Sequence, residues 1–116
     1  MSIREEAKRE IHELYNLLSK RREQPTELLD ITDVLLQVYQ KLDEEKNPAA
    51  LLNRLVNYIR NAALKGRLNF SKKEEALIIQ LGVFGQKAGL NGIYRGDYSD
   101  KSQFYSYLEQ SKMPRR

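Results

Sequence analysis

The chain has 116 residues, 20 basic and 16 acidic side chains, a net charge of +4 and no cysteine. That length suits one domain able to bury about two thirds of its unfolded surface, and the composition excludes disulfides, thiolate nucleophiles and cysteine metal sites. No apolar run approaches the ~20 residues that cross a bilayer, and the charged start Met-Ser-Ile-Arg-Glu-Glu lacks the apolar core of a secretory signal, so a soluble intracellular protein is expected.

A first helix is predicted from about Ser2 to Arg21. Ile3, Ala7, Ile11, Leu14 and Leu18 recur at spacings of three and four, one stripe of a 3.6-residue period. The cations of Ser19-Lys20-Arg21-Arg22 suit its negative end. Gln24-Pro25-Thr26 interrupts the pattern, because proline is tolerated in a first turn but not inside a helix. The second helix runs from about Thr26 to Glu45. Its seam is Leu28, Ile31, Leu35, Val38 and Leu42, and Leu29, Val34, Leu36 and Tyr39 predict burial on more than one side. Asn47-Pro48 reads as an N-cap followed by proline at the first helical position. The third helix then runs to about Lys65, with Gly66 expected as the left-handed residue that ends it.

Ser71-Lys72-Lys73-Glu74 has the form of a capping box. It opens a fourth helix over about 72–88, with Leu77, Leu81, Phe84 and Ala88 on one stripe and Ile78 beside it. Gly82 and Gly85 lie inside that helix, each costing about 1 kcal/mol relative to alanine. Three residues apart, they leave a strip that another backbone can approach. The tail over 89–116 has no helical period until Ser99 or Asp100, either of which can cap a short fifth helix reaching about Gln110. Four of the seven tyrosines fall after Asn91. The whole therefore reads as an all-α, antiparallel up-down four-helix bundle, one domain over 1–116, with a C-terminal strap.

Catalytic constellations do not emerge. His12 is the only histidine, and the positions three and four residues away hold Lys8, Arg9, Tyr15 and Asn16 rather than a second ligand or a nucleophile. No carboxylate falls inside an apolar stripe, and the glycines do not lie between a strand and a helix as a phosphate loop requires. No enzyme, metal or cofactor is expected. Arg54, Arg60, Lys65, Arg67, Lys72 and Lys73 cluster around the junction of the third and fourth helices. They keep open an alternative, a small basic helical module that binds nucleic acid or another protein.

Several segments resemble the immunity proteins of class IIa (pediocin-like) bacteriocin producers, closest to the enterocin A and mundticin subgroup. They are His12-Glu13-Leu14-Tyr15-Asn16, Leu36-Gln37-Val38-Tyr39-Gln40-Lys41-Leu42 and Asn53-Arg54-Leu55-Val56-Asn57-Tyr58. Above all there is Gly89-Leu90-Asn91-Gly92-Ile93-Tyr94-Arg95, followed by Asp97-Tyr98 and Asp100-Lys101-Ser102-Gln103-Phe104. The resemblance implies a non-enzymatic protein that protects its producer. It implies action from the cytoplasm, with transient contact at the membrane surface, on the membrane component of the mannose phosphotransferase system once bacteriocin has engaged it. It also implies that the C-terminal half sets which bacteriocin is countered. Binding energy concentrates in a few tyrosines and arginines, so Lys87, Tyr94, Arg95, Tyr98, Lys101 and Phe104 are the expected partner-binding residues of a monomeric protein. The ordinary reading of Lys87 is a cation complementing a helix dipole, and that of Tyr94 and Tyr98 is docking of the tail on the bundle.

Overall fold

Four helices make up the computed structural model, which describes residues 3–86 and Phe104: α1 (Ile3–Ser19), α2 (Thr26–Lys41), α3 (Pro48–Gly66) and α4 (Lys72–Gln86). Among the described residues there is no strand. Each helix packs on its neighbours in chain order, α4 closes back on α1, and the diagonal pair α1 and α3 barely touches. Contacts between ends show the antiparallel course. Arg4, at the start of α1, meets Leu42 after the end of α2, and Asn53, in the first turns of α3, meets Gly85 near the end of α4.

The predicted apolar stripes form one core. Ala7, Ile11, Leu14 and Leu18 of α1 and Leu28, Ile31, Leu35, Val38 and Leu42 of the α2 segment are buried together with Leu52, Leu55 and Ile59 of α3. From α4, Ile78, Leu81 and Phe84 are buried, while Leu77 is only partly covered. Leu36 departs from the expectation that α2 is buried on several sides: it is 41% exposed.

Helix ends differ from expectation where a side chain from outside the helix intervenes. α1 stops at Ser19 rather than Arg21. The Gln24 amide folds back and donates to the carbonyls of Leu18 (3.1 Å) and Arg21 (2.9 Å), satisfying groups that a longer helix would leave open. α2 stops at Lys41, not near Glu45. Arg4 donates from Nε to the Leu42 carbonyl (3.0 Å) and from Nη2 to the Glu45 carbonyl (2.6 Å), and so closes the turn that follows. The Asn47 side chain accepts from the Ala50 N–H at 3.1 Å, the expected cap, with Pro48 at the first helical position.

The left-handed residue after α3 is Arg67 (φ 52°), not Gly66. The Leu68 N–H donates to Ala63 O at 2.9 Å and the Arg67 N–H to Leu64 O at 3.3 Å, the paired bonds of a Schellman end. Gly66 serves another purpose: a Cβ there would stand 2.7 Å from the Cβ of Glu27, so its bare α-carbon lets α3 close on the start of α2. The capping box of α4 is complete. Glu74 N–H donates to Ser71 Oγ at 3.1 Å, and Ser71 N–H donates to Glu74 Oε1 at 2.9 Å. Of the two α4 glycines, only Gly85 marks a close approach: a Cβ there would lie 2.8 Å from both N and Cα of Asn53. At Gly82 the nearest atom is Val56 Cγ1, at 3.8 Å. The strap, the short fifth helix and the last predicted turn of α4 lie outside the described residues, Phe104 excepted.

Candidate functional site

The tail meets the bundle at Phe104, which is only 2% exposed and belongs to the core. Its ring stands edge-on to Tyr58 of α3, with centroids 5.4 Å apart and planes at 79°, a favoured aromatic geometry. Lys41 Nζ, at the end of α2, donates to the Phe104 carbonyl at 2.7 Å. Phe104 was expected on a partner surface; burial makes it an anchor instead, because a large aromatic gains more from the apolar seat by Tyr58 than from water. Lys87, Tyr94, Arg95, Tyr98 and Lys101 lie outside the described residues. By connectivity, though, all five belong to the stretch that leaves Gln86 and returns to the bundle at Phe104. Tyr58 and Lys41 are functional candidates that sequence reasoning missed. Tyr58 shares the three- and four-residue spacing of Leu51, Leu55 and Ala62, which marks it only as apolar stripe, and nothing local tells Lys41 that its acceptor is 63 residues away.

Two ion pairs brace the start of α4 against the rest of the bundle. Arg21, just past α1, engages both carboxylate oxygens of Glu74 and donates to the Asn69 carbonyl at 2.6 Å. Glu74 is 5% exposed, so a carboxylate does sit at a buried position, contrary to the sequence expectation. Burial pushes its carboxyl up, but Arg21 and Ser71 pull harder and the net result lies below the usual range. Arg60 of α3 holds Glu75 of α4 at 2.8 Å, which lowers the Glu75 carboxyl below its ordinary value despite partial burial. With Arg60 so engaged and Lys73 paired to Glu13 at 3.1 Å, the predicted phosphate patch loses two of its six cations.

A second concave surface lies between α1 and α2. A hollow of about 280 Å³ is lined mainly by carbon, from Ile11, Tyr15, Leu35, Leu36 and Tyr39, with His12 and Asn16 at its edge. The His12 and Tyr39 rings stand 6.1 Å apart and tilted, and Lys8 Nζ lies 4.9 Å from the Tyr39 centroid. The fold thereby brings two of the segments that carry the resemblance, 12–16 and 36–42, to one groove. Among the described residues, no three of His, Asp or Glu converge in a metal-holding arrangement. No helix among them is long and apolar enough to cross a membrane.

Comparison with known proteins agrees along the chain. The sequence pattern of a bacteriocin immunity protein family matches residues 4–86. The probable leucocin-A immunity protein of Leuconostoc gelidum is 58% identical over 106 residues, covering 91% of this chain and 93% of the relative. The probable mesentericin-Y105 immunity protein of Leuconostoc mesenteroides is 57% identical over the same shares. The crystal structure of EntA-im, which confers immunity to the pediocin-like bacteriocin enterocin A, is 44% identical with a TM-score of 0.60. That match covers 84% of this chain and 98% of that one.

Proposed function

This chain belongs to the bacteriocin immunity protein family, and from that premise we propose that it protects a producing cell against a class IIa, pediocin-like bacteriocin. The family's role is non-enzymatic, and so is this chain's. The observation that carries the reading is identity of 58% and 57% to two immunity proteins over 91% of the chain.

The protein works in the cytoplasm, as a monomer, on the bacteriocin-engaged membrane component of the mannose phosphotransferase system, touching the membrane surface only transiently. Lys87, Tyr94, Arg95, Tyr98 and Lys101 make the contact. The burial of Phe104 supports this assignment. A recognition segment tethered to a rigid body at both ends loses less conformational freedom on binding than a free tail, so more of its contact energy appears as affinity. Phe104 itself acts from within, by holding the far end.

Expression in a sensitive strain, challenged with a panel of class IIa bacteriocins, tests the reading. Survival against at least one peptide is expected; unchanged sensitivity to all of them overturns it. The nucleic-acid alternative is weakened by the ion pairs of Arg60 and Lys73, and retention on DNA or RNA at low salt would revive it.

A further inference from the structure

The two halves of the bundle carry opposite charge. Residues 3–46, which contain α1 and α2, hold eight cations and eleven anions; residues 47–86, which contain α3 and α4, hold six cations and only Glu74 and Glu75 as anions. Both of those carboxylates are taken, by Arg21 and Arg60 respectively. The α3–α4 side therefore offers positive charge without a free acid among the described residues. Lys65, Arg67 and Lys72 make no ion pair there.

Three of the four large apolar side chains exposed among the described residues belong to this side: Leu64 (79%), Ile79 (55%) and Val83 (41%). The Arg60–Glu75 bridge sets their arrangement. Leu64 lies one turn beyond Arg60 on α3. Lys72, Ile79 and Val83 follow the three- and four-residue spacing that puts them on the Glu75 face of α4. Between them, Asn57 and Asn61 turn their side-chain amides back to their own helix, donating to the carbonyls of Asn53 (2.8 Å) and Asn57 (3.0 Å). Covering this face thus leaves few polar groups unsatisfied. At the Leu64 end, an open hollow of about 570 Å³ is rimmed by Arg60, Arg67 and Asn69.

We propose that the α3–α4 face is a docking surface for an anionic lipid bilayer, with Lys65, Arg67 and Lys72 among the headgroups and Leu64 and Ile79 reaching the acyl boundary. Cations beside protruding aliphatic side chains are the pairing that an anionic bilayer rewards. A nucleic acid would use the cations and gain nothing from Leu64 or Ile79, since stacking on bases needs aromatics. A protein partner would call for aromatic anchors, and none is exposed on this face among the described residues. Docked in this way, the acidic α1–α2 side faces away from the lipid. The inference concerns lipid alone and stands or falls separately from the immunity reading.

Co-sedimentation of the full chain with vesicles tests it. Binding is expected to vesicles of phosphatidylglycerol and phosphatidylcholine in equal parts, not to phosphatidylcholine alone, and should weaken with salt. The combined change Lys65→Glu, Arg67→Glu, Lys72→Glu should lower vesicle affinity about a hundredfold. Leu64→Ser, at a side chain the fold does not need, should lower it roughly fivefold while the thermal melt stays in place. Glu44→Lys, in the acidic half, should leave binding intact. Absence of binding to the anionic vesicles, equal binding to neutral ones, or full binding by Leu64→Ser together with equal retention on duplex DNA would each overturn the proposal.

Discussion

Adding one carbon to Gly82 and to Gly85 should have opposite results. At Gly85 the new Cβ would press on the Asn53 backbone at 2.8 Å, and backbone cannot swing aside as a flexible side chain does. Gly85→Ala is therefore expected to cost about 1–3 kcal/mol even after the helix-propensity gain. At Gly82 the nearest neighbour is an ordinary contact at 3.8 Å, so Gly82→Ala should stabilise by about 0.5–1 kcal/mol. Urea denaturation of the two variants measures both; equal shifts would mean that α3 and α4 are not in close contact at Gly85. Phe104 supplies a second test at this scale. Its ring fills a buried seat against Tyr58, so Phe104→Ala should cost roughly 3 kcal/mol. If residues 87–103 carry recognition as proposed, Phe104→Ala should also weaken protection.

At the scale of elements, two carboxylates respond to pH in opposite senses. Glu74, at the start of α4, has its carboxyl held below the ordinary value by Arg21 and Ser71 acting against burial. A depressed folded-state pKa means that the stability it contributes is present above the unfolded value of about 4.3 and is lost as pH falls through the lowered one. Glu74→Gln should thus cost about 2–4 kcal/mol at neutral pH, with the gap narrowing in acid. Glu10 of α1 is the reverse case. Burial, followed by the charge of Glu6, raises its carboxyl, and Oε2 is buried without a hydrogen-bond partner. Its folded state favours the proton, so the chain is better off below the unfolded pKa, and that advantage disappears as pH rises through the raised value. Glu10→Gln is expected to stabilise by about 1 kcal/mol at neutral pH and to change nothing in acid. Melts at neutral and acid pH give both signs in one experiment.

For the whole molecule, stability and protection should separate. The bundle is held by its core and by ties between distant helix ends, whereas the proposal puts recognition in the stretch between Gln86 and Phe104. Lys87→Ala and Arg95→Ala are expected to lower survival under bacteriocin challenge while stability changes by less than about 0.5 kcal/mol. A large fall in melting temperature would make those side chains structural.

Periodicity and punctuation determine a great deal by themselves. The stripes of α1 to α4, the break at Pro25, the Asn47-Pro48 start and the Ser71–Glu74 capping box are all local, each read within a few residues because a helix brings i and i+4 together. The segments that carry the family resemblance were legible in the same way. Only the tertiary structure decided the rest. Arg21 meets Glu74 across 53 residues and Lys41 meets Phe104 across 63, and no spacing rule reaches that far. Arg67 rather than Gly66 takes the left-handed position, because the space beside Glu27, and not the turn alone, selects the residue without a Cβ. Phe104 shows the limit most clearly. An aromatic in a polar, turn-rich tail can serve a partner or the core, and the choice belongs to the apolar seat against Tyr58, which exists only once the helices have assembled.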